Sequence, residues 1–518
     1  MDWSGGYVSD INYISGFYRE LAPGYLSFVA RLQGEPAPDP ARPFRYAELG
    51  CGQGLGTNLL AAANPHAEFV GIDFLPGQIA NARDQAAAAG LENVTFHEAS
   101  FAEAAQWPDA ALAPFDYITL HGIYAWVSPA NRQAIVRFLE RWLKPGGLVY
   151  VSYNAMPGWA GVLPFQRLLC EHAARHPGRS DRQVESGLAF MQQLREAGLA
   201  YFERHPAAPA KLDGLGDIAR ESTYLAHEYL NTAAQPLYFT DVLAELAPAR
   251  LDYVGSADLV ENYDALSLPE PARAALEDVA DPHYRELLRD YAVNRVFRRD
   301  VFIKGSRRGT PAQQDAAVLQ TAVAPLLTRA EMTPVFHTHL GELTGQARIY
   351  QPLMDYIARS PTTLGDLRQA TGVELPALIQ ACAVLVATGQ AHPAQPPADP
   401  GPAGRLAELL AERILEDEAH GHLPAPAIGS AVVASDTEIV ALAALRQGAP
   451  QRAERLAEAV WSRFRPVGRR MVRDGQVLEG ERANLRELQE RARGILRERL
   501  PVWQGLGLID AGSDRRGG

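Results

Sequence analysis

The chain has 518 residues and a mass of 56.4 kDa, too long for one hydrophobic core and enough for roughly three or four domains of ~150 residues. Lys plus Arg number 49 and Asp plus Glu 61, a net charge of −12; phosphate binding needs clustered positive charge, so this balance argues against nucleic acid as the main partner. A hydrophobic share of 47% excludes wholesale disorder, and three widely spaced cysteines (Cys51, Cys170, Cys382) exclude a disulfide framework or a thiolate zinc site.

The first residues carry no basic region followed by an apolar run, and no stretch approaches the ~20 apolar residues that span a bilayer. A cytoplasmic, multidomain chain without membrane insertion is the expectation. Residues 1–40 read as a helical lead-in with aromatics at Tyr7, Tyr13, Phe17, Tyr18 and Tyr25, ending in a linker with Pro36, Pro38 and Pro40. From Phe44 strands and helices alternate. Strands are predicted at 44–49, 68–73, 94–98, 115–120 and 148–153. The helix 76–89 is closed by Gly90, and 131–143 is opened by Ser128-Pro129; Lys144-Pro145-Gly146-Gly147 reads as a turn. This rhythm predicts an α/β fold, a Rossmann-like doubly wound sheet.

Residues 160–235 read as helical throughout, an insertion. The alternation then resumes with a helix at 240–247, a strand at 251–255, a long helix at 281–297 and a strand at 300–304. A first domain of 1–305 is expected, its sheet completed only by those last strands. A polar linker leads to a winged-helix-like middle domain over 315–395. Residues 395–404 are a flexible linker by composition, 405–512 a mainly helical C-terminal domain, and 513–518 a disordered tail.

The most informative stretch is Glu48-Leu-Gly-Cys-Gly-Gln-Gly-Leu-Gly56, a strand end carrying an acid followed by glycines at 50, 52, 54 and 56. Glycines at a strand-to-helix turn let backbone approach a ligand, and Asp73, at the end of the next strand, can accept both hydroxyls of a ribose. A dinucleotide fingerprint would need glycine where Leu55 stands, and a pyrophosphate gains nothing from Glu48. A ligand with an amine and a sulfonium does.

An acid, alternate glycines, an acid after the next strand and a Lys-Pro-Gly-Gly turn before strand five form the pattern of class I S-adenosylmethionine-dependent methyltransferases, which this chain resembles. The stretches DWSGGYVSDINY, GFYRELAP, ELGCGQG, HGIYAWVS, VSYNAMPGW, YLAHEYLN and FRRDVFIKG are similar to bacterial methyltransferases with a methyltransferase regulatory domain. That family includes the rickettsial outer-membrane-protein lysine methyltransferases. The resemblance implies binding of S-adenosylmethionine with S-adenosylhomocysteine as product, a protein substrate methylated on lysine, and a homodimer in which 160–235 is a dimerisation element. It implies cofactor contacts from Glu48, Gly50, Gly52, Gly54, Asp73 and Phe74, from Ser100 and Phe101 after strand three, and from His121. Many relatives have Asp where Ser100 stands; a hydroxyl can still accept from the adenine amine.

Methyl transfer needs an unprotonated nucleophile about 3 Å from the methyl, with water excluded. His121, after strand four, is a candidate base, and Tyr124, Trp126 and Tyr153 are candidate walls around a lysine through cation–π contacts. The alternatives are a hydrogen-bonding role for His121 and core positions for the aromatics; Asn154 is a further lining candidate. No metal is expected, since His337-x-His339 and His420-x-His422 lack further ligands at metal spacing. The basic run Arg295, Arg298, Arg299 is expected to pair with nearby acids. Three functions remain: a methyltransferase acting on a protein side chain, one acting on a small molecule, and a non-catalytic S-adenosylmethionine sensor. A DNA-binding sensor is disfavoured because the reading helix of the winged-helix-like region, 375–387, has no basic residue.

Overall fold

In a computed structural model of the chain, which describes residues 6–11, 16–205, 210, 218–396 and 398–510, seven strands form one sheet. They are β1 Arg45–Leu49, β2 Glu68–Asp73, β3 Val94–Glu98, β4 Phe115–Leu120, β5 Leu143–Asn154, β6 Leu251–Ser256 and β7 Phe297–Lys304. The order is β3-β2-β1-β4-β5-β7-β6. Strands β1 to β5 pair in parallel, while β7 runs antiparallel to both β5 and β6. The sheet is therefore completed by the two late strands, after the chain has left it and returned.

Alternation of side chains along each strand divides the interior into two. Tyr46, Tyr117, Leu148, Tyr150, Val301 and Ile303 face α1 (Pro23–Leu32) and α2 (Leu55–Ala63). Ala47, Leu49, Ile118, Leu120, Val149, Val151 and Phe302 face the opposite way, onto a core that includes Ile135, Phe138 and Leu139 of a later helix. The helix α3 (Pro76–Ala88) follows β2, the short α4 (Phe101–Ala104) follows β3, and α5 (Pro129–Trp142), which carries those three residues, follows β4. Two boundaries differ from the sequence reading. Residues 144–147 do not form a separate turn; they bulge within β5, where Leu143 pairs with Phe115 and Leu148 with Tyr117. The helix expected over 281–297 is Pro282–Val293, ended by Asn294 at φ +49°, so β7 begins at Phe297 rather than at residue 300.

Between β5 and β6 lie the helices Leu163–Arg175, Ser180–Glu196, Ala200–Arg204 and Ile218–Leu230. They enclose a small core of their own with Phe165, Leu169, Val184, Leu188, Met191 and Tyr229. Tyr13 and the tail 513–518 lie outside the described residues. Beyond β7, an antiparallel three-stranded sheet (Ala322–Pro325, Thr362–Thr363, Ala391–Ala394) packs with helices Ala347–Ile357, Leu364–Thr371 and Leu375–Ala387. The last helix, read above for DNA contact, is an interior one: Leu378, Cys382, Leu385 and Val386 are buried. Among the described residues no single helix is long and apolar enough to cross a membrane.

The stretch 395–404, a flexible linker by composition, is tied down at both ends. The helix Gly401–Leu415 begins inside it. Gln395 is buried, and its amide donates to Asn64 Oδ1 at 3.1 Å and to the Pro426 carbonyl at 3.0 Å. Asn64, at the C-terminal end of α2, donates in turn to the carbonyls of Leu60 at 2.8 Å and Gly429 at 2.9 Å. One apolar core therefore runs from α2 and the sheet into Leu406, Leu410, Leu442, Val460 and Trp503. Asn64→Ala leaves the Gly429 carbonyl and one Gln395 proton without partners in a dry place. It is expected to lower stability by about 1–3 kcal/mol, read as a shifted denaturant midpoint.

Candidate functional site

The carboxyl ends of β1, β2 and β4 open onto a cleft of about 410 Å³, within the ~300–1,000 Å³ usual for small-ligand sites. Its floor is the glycine loop. Gly50 has φ +77° and its N–H donates to the Ile72 carbonyl at 2.8 Å; a Cβ there would lie 2.3 Å from Ile123 Cδ1. Gly54 has φ +75° and caps α2, and a Cβ on it would meet Ala82 Cβ at 2.4 Å. Only glycine satisfies both the backbone and the space, so the loop presents bare main chain to the cleft.

Two buried acids flank that loop. Asp73 accepts from the Gly52 N–H at 2.9 Å and the Leu75 N–H at 3.0 Å. Burial pushes its carboxyl up, opposed by those backbone donors and that of Phe74. Glu48 accepts from the Thr57 hydroxyl, and burial pushes it up to about 7, with Thr57 opposing and Asp73 adding to the rise. A carboxyl held this high favours the fold in its neutral form. That contribution is complete below about 4.5 and is lost as pH rises through about 7. An ammonium placed beside it reverses the preference. Bare glycine backbone between two desolvated carboxyls fits a ligand carrying a ribose and an amine, and S-adenosylmethionine carries both.

His121 follows β4 and also lines the cleft. Its Nδ1 lies 2.9 Å from the Tyr150 hydroxyl and 3.2 Å from Ser152 Oγ, and the ring of Tyr18 stacks on it at 3.6 Å. Burial first, then the charge of Arg299, brings its pKa down to about 3. The ring is neutral at ordinary pH, and a base this weak gains little by taking a proton from an amine.

Trp126 and Asn154 line the cleft as well. Tyr153 does not, and strand alternation is the reason. Tyr150, Ser152 and Asn154 point to the cleft face; Tyr153 points to the other, fully buried, and donates to Asp300 Oδ2 at 2.6 Å. Tyr124 is likewise fully buried in the core on that far face. Neither ring is placed to wall an acceptor. Ser100 is also used otherwise. Its hydroxyl accepts from the Glu103 N–H at 3.2 Å and lies 2.8 Å from the Glu103 carboxylate, a reciprocal cap on α4. Phe101 packs on the far-side core and Phe74 edge-on to Tyr7, so neither lines the cleft.

Sequence reasoning missed Trp159, Tyr224, Glu228, Phe297 and Arg299, all of which line the cleft. Tyr224 and Glu228 come from the helix Ile218–Leu230, and Phe297 and Arg299 from the start of strand β7. The motifs YLAHEYLN and FRRDVFIKG contain four of the five, but nothing local in them marks which side chains face a ligand. Among the described residues no group of three or more His, Cys, Asp or Glu is arranged to hold a metal.

Asp73→Ala is expected to weaken S-adenosylhomocysteine binding by about 1.5–3 kcal/mol in calorimetry, the scale of charge-assisted hydrogen bonds. Because burial holds Glu48 up to about 7, binding of the ligand's ammonium at pH 6 should release a proton, seen as a heat that depends on the buffer. Affinity should rise from pH 6 to 8, and Glu48→Gln should abolish both effects.

Comparison with known proteins agrees with this geometry. A family model described as a methyltransferase domain matches residues 44–186, and one described as a predicted methyltransferase regulatory domain matches 221–304. An uncharacterized protein of Synechocystis, sll1526, is 34% identical over 524 residues, covering 98% of this chain and all of that one. The Rickettsia prowazekii protein RP789 is 30% identical over 56% of this chain and 51% of its own. Among solved structures, PKMT2 from Rickettsia typhi in complex with AdoHcy has the same fold, with a TM-score of 0.68 at 17% identity over 96% of this chain and 99% of that one. The chain is a class I S-adenosylmethionine-dependent methyltransferase and belongs to the family that joins the methyltransferase domain to a methyltransferase regulatory domain.

Proposed function

We propose that the methyl acceptor is a lysine side chain of another protein. The observation that carries this reading is the composition of the cleft lining, which includes Tyr18, Trp126, Trp159 and Phe297 together with Glu228. Asn154 donates to Glu228 at 3.4 Å. A long apolar stem with a cationic tip matches such a lining, since ring faces attract a cation and the carboxylate receives it. The likeness to PKMT2, whose name denotes a protein lysine methyltransferase, supports the reading because it runs through the C-terminal regions as well as the sheet.

S-adenosylmethionine, when bound, supplies a methyl group on a cationic sulfur. The chain's own residues then have three tasks. Asp73 and the glycine loop hold the nucleoside half. The cleft recruits the amine as a cation; once the cofactor is bound, exclusion of water and the like charge of the sulfonium disfavour that ammonium form, and the amine attacks only when neutral. His121 stays unprotonated and keeps the wall between Tyr18 and Tyr150 in place, so the acceptor's proton leaves to solvent before attack.

The test is transfer of labelled methyl from S-adenosylmethionine to a lysate of the source cells, followed by gel separation and acid hydrolysis. Label is expected in protein and recovered as methyl-lysine, with a rate that rises with pH between 7 and 9. Label confined to small molecules, or to another side chain, overturns the assignment. Trp126→Ala is expected to lower turnover about tenfold or more while cofactor affinity changes by no more than about threefold, the pattern of a residue that acts on the acceptor.

A further inference from the structure

Arg299 stands opposite Ser152 in the β5–β7 ladder, and directly opposed residues share a face, so its side chain lies on the cleft side with Tyr150 and Asn154. Its neighbours in the same basic run are paired. Arg295 pairs with Glu261; Arg298 with Asp290 at 2.7 Å and Asp300 at 2.8 Å. Arg299 has no ion pair among the described residues, and its Nε is buried without a hydrogen-bond partner. The guanidinium lies 5.7 Å from the Phe297 ring and feels Glu20 and Asp258 only from a distance. It also lines two further cavities, of about 550 and 470 Å³, so three open spaces meet at its side chain.

The charge inventory of the cleft makes this free cation informative. Glu48, Asp73 and Glu228 line it, and Arg299 is the only Arg or Lys among the described lining residues. The cofactor brings one carboxylate on its methionine half. A carboxylate taken from water into a cleft of buried acids is costly unless a cation meets it. We propose that Arg299 binds the methionine carboxylate of the cofactor, opposite the amine that Glu48 favours, and so fixes the direction in which the sulfonium points. The inference rests on the cofactor assignment above and adds to it a residue far outside the glycine motif.

Calorimetry with two ligands tests it. S-adenosylhomocysteine carries the carboxylate; 5′-methylthioadenosine keeps the adenosine and the thioether but has no amino acid end. Arg299→Gln is expected to weaken S-adenosylhomocysteine by about tenfold to a hundredfold, the range of charge-assisted bonds, and to leave methylthioadenosine within about twofold. Arg299→Lys, which keeps the charge and loses the fork, is expected to retain most of the affinity. Retained methylthioadenosine binding also shows that the variant's cleft is folded. Equal loss of both ligands overturns the proposal, because Arg299 would then act on the shape of the cleft alone. Loss of neither overturns it too and leaves the carboxylate to the backbone N–H groups at the start of α2. Failure of the wild type to bind either ligand would instead reject the cofactor assignment itself.

Discussion

The antiparallel ladder between β5 and β7 is the constraint on which the site depends. Seven consecutive pairs, from Leu148 with Ile303 to Asn154 with Phe297, lock a strand laid down early to one that arrives after the helical excursion. Side-chain period along a strand is two, so this register decides everything at once. Ser152, Asn154, Phe297 and Arg299 face the cleft, while Tyr153, Arg298 and Asp300 face the opposite core and satisfy one another there. A slip of one residue would bury the unpaired guanidinium of Arg299 in an apolar layer and bring a buried ion pair to the ligand. The Arg298 network is thus part of how the site is specified, since breaking it strands a charge that has no water to turn to.

A second constraint is electrostatic. Glu48 and Asp73 are held at the ends of adjacent parallel strands, where burial works against both charges. The protein tolerates this because the loop N–H groups spend themselves on Asp73 and Thr57 spends its hydroxyl on Glu48. The cleft is consequently short of positive charge, with Arg299 its one cation among the described lining residues, and His121, kept neutral by burial and by Arg299, adds none. A cationic ligand completes the arrangement. The same desolvation that raises the carboxyls makes their interaction with a bound amine stronger than it would be in water.

The sheet and its cofactor loop were legible because their signals are local. A strand followed by alternate glycines and an acid at the end of the next strand needs no tertiary knowledge, and the late strands at 251–255 and 300–304 were visible as short apolar runs. The rest of the cleft lining was not legible, because it is assembled from Tyr18, Trp126, Trp159, Glu228 and Phe297, which come from five separate segments. Strand-end aromatics looked equivalent in sequence: Trp126 and Tyr153 share one apolar core, yet only Trp126 also reaches the cleft lining. Ser100 misled for a related reason. Its position after β3 suggests adenine, yet Ser-x-x-Glu is also a helix start, and the cap satisfies the hydroxyl locally. The flexible reading of 395–404 failed because proline and glycine content cannot reveal that Gln395 bridges two buried loops.

The later regions matter to the cleft through α2. That helix begins at Gly54, in the loop that frames the ligand, and ends at Asn64, which is bonded to Gly429 and Gln395 of the later regions. Nine residues of regular helix join the two ends, and nearly all of them are buried. The glycine loop cannot be displaced along α2 without breaking bonds to the later regions, nor can those regions shift without pulling on the loop. On the other flank, Arg299 and Phe297 share a cavity with His337, His339 and Thr388 from beyond β7. An isolated sheet would leave both flanks open to water. With the later regions packed against it, the cleft has a fixed floor, and fixed placement of the reactants is a condition that direct methyl transfer requires.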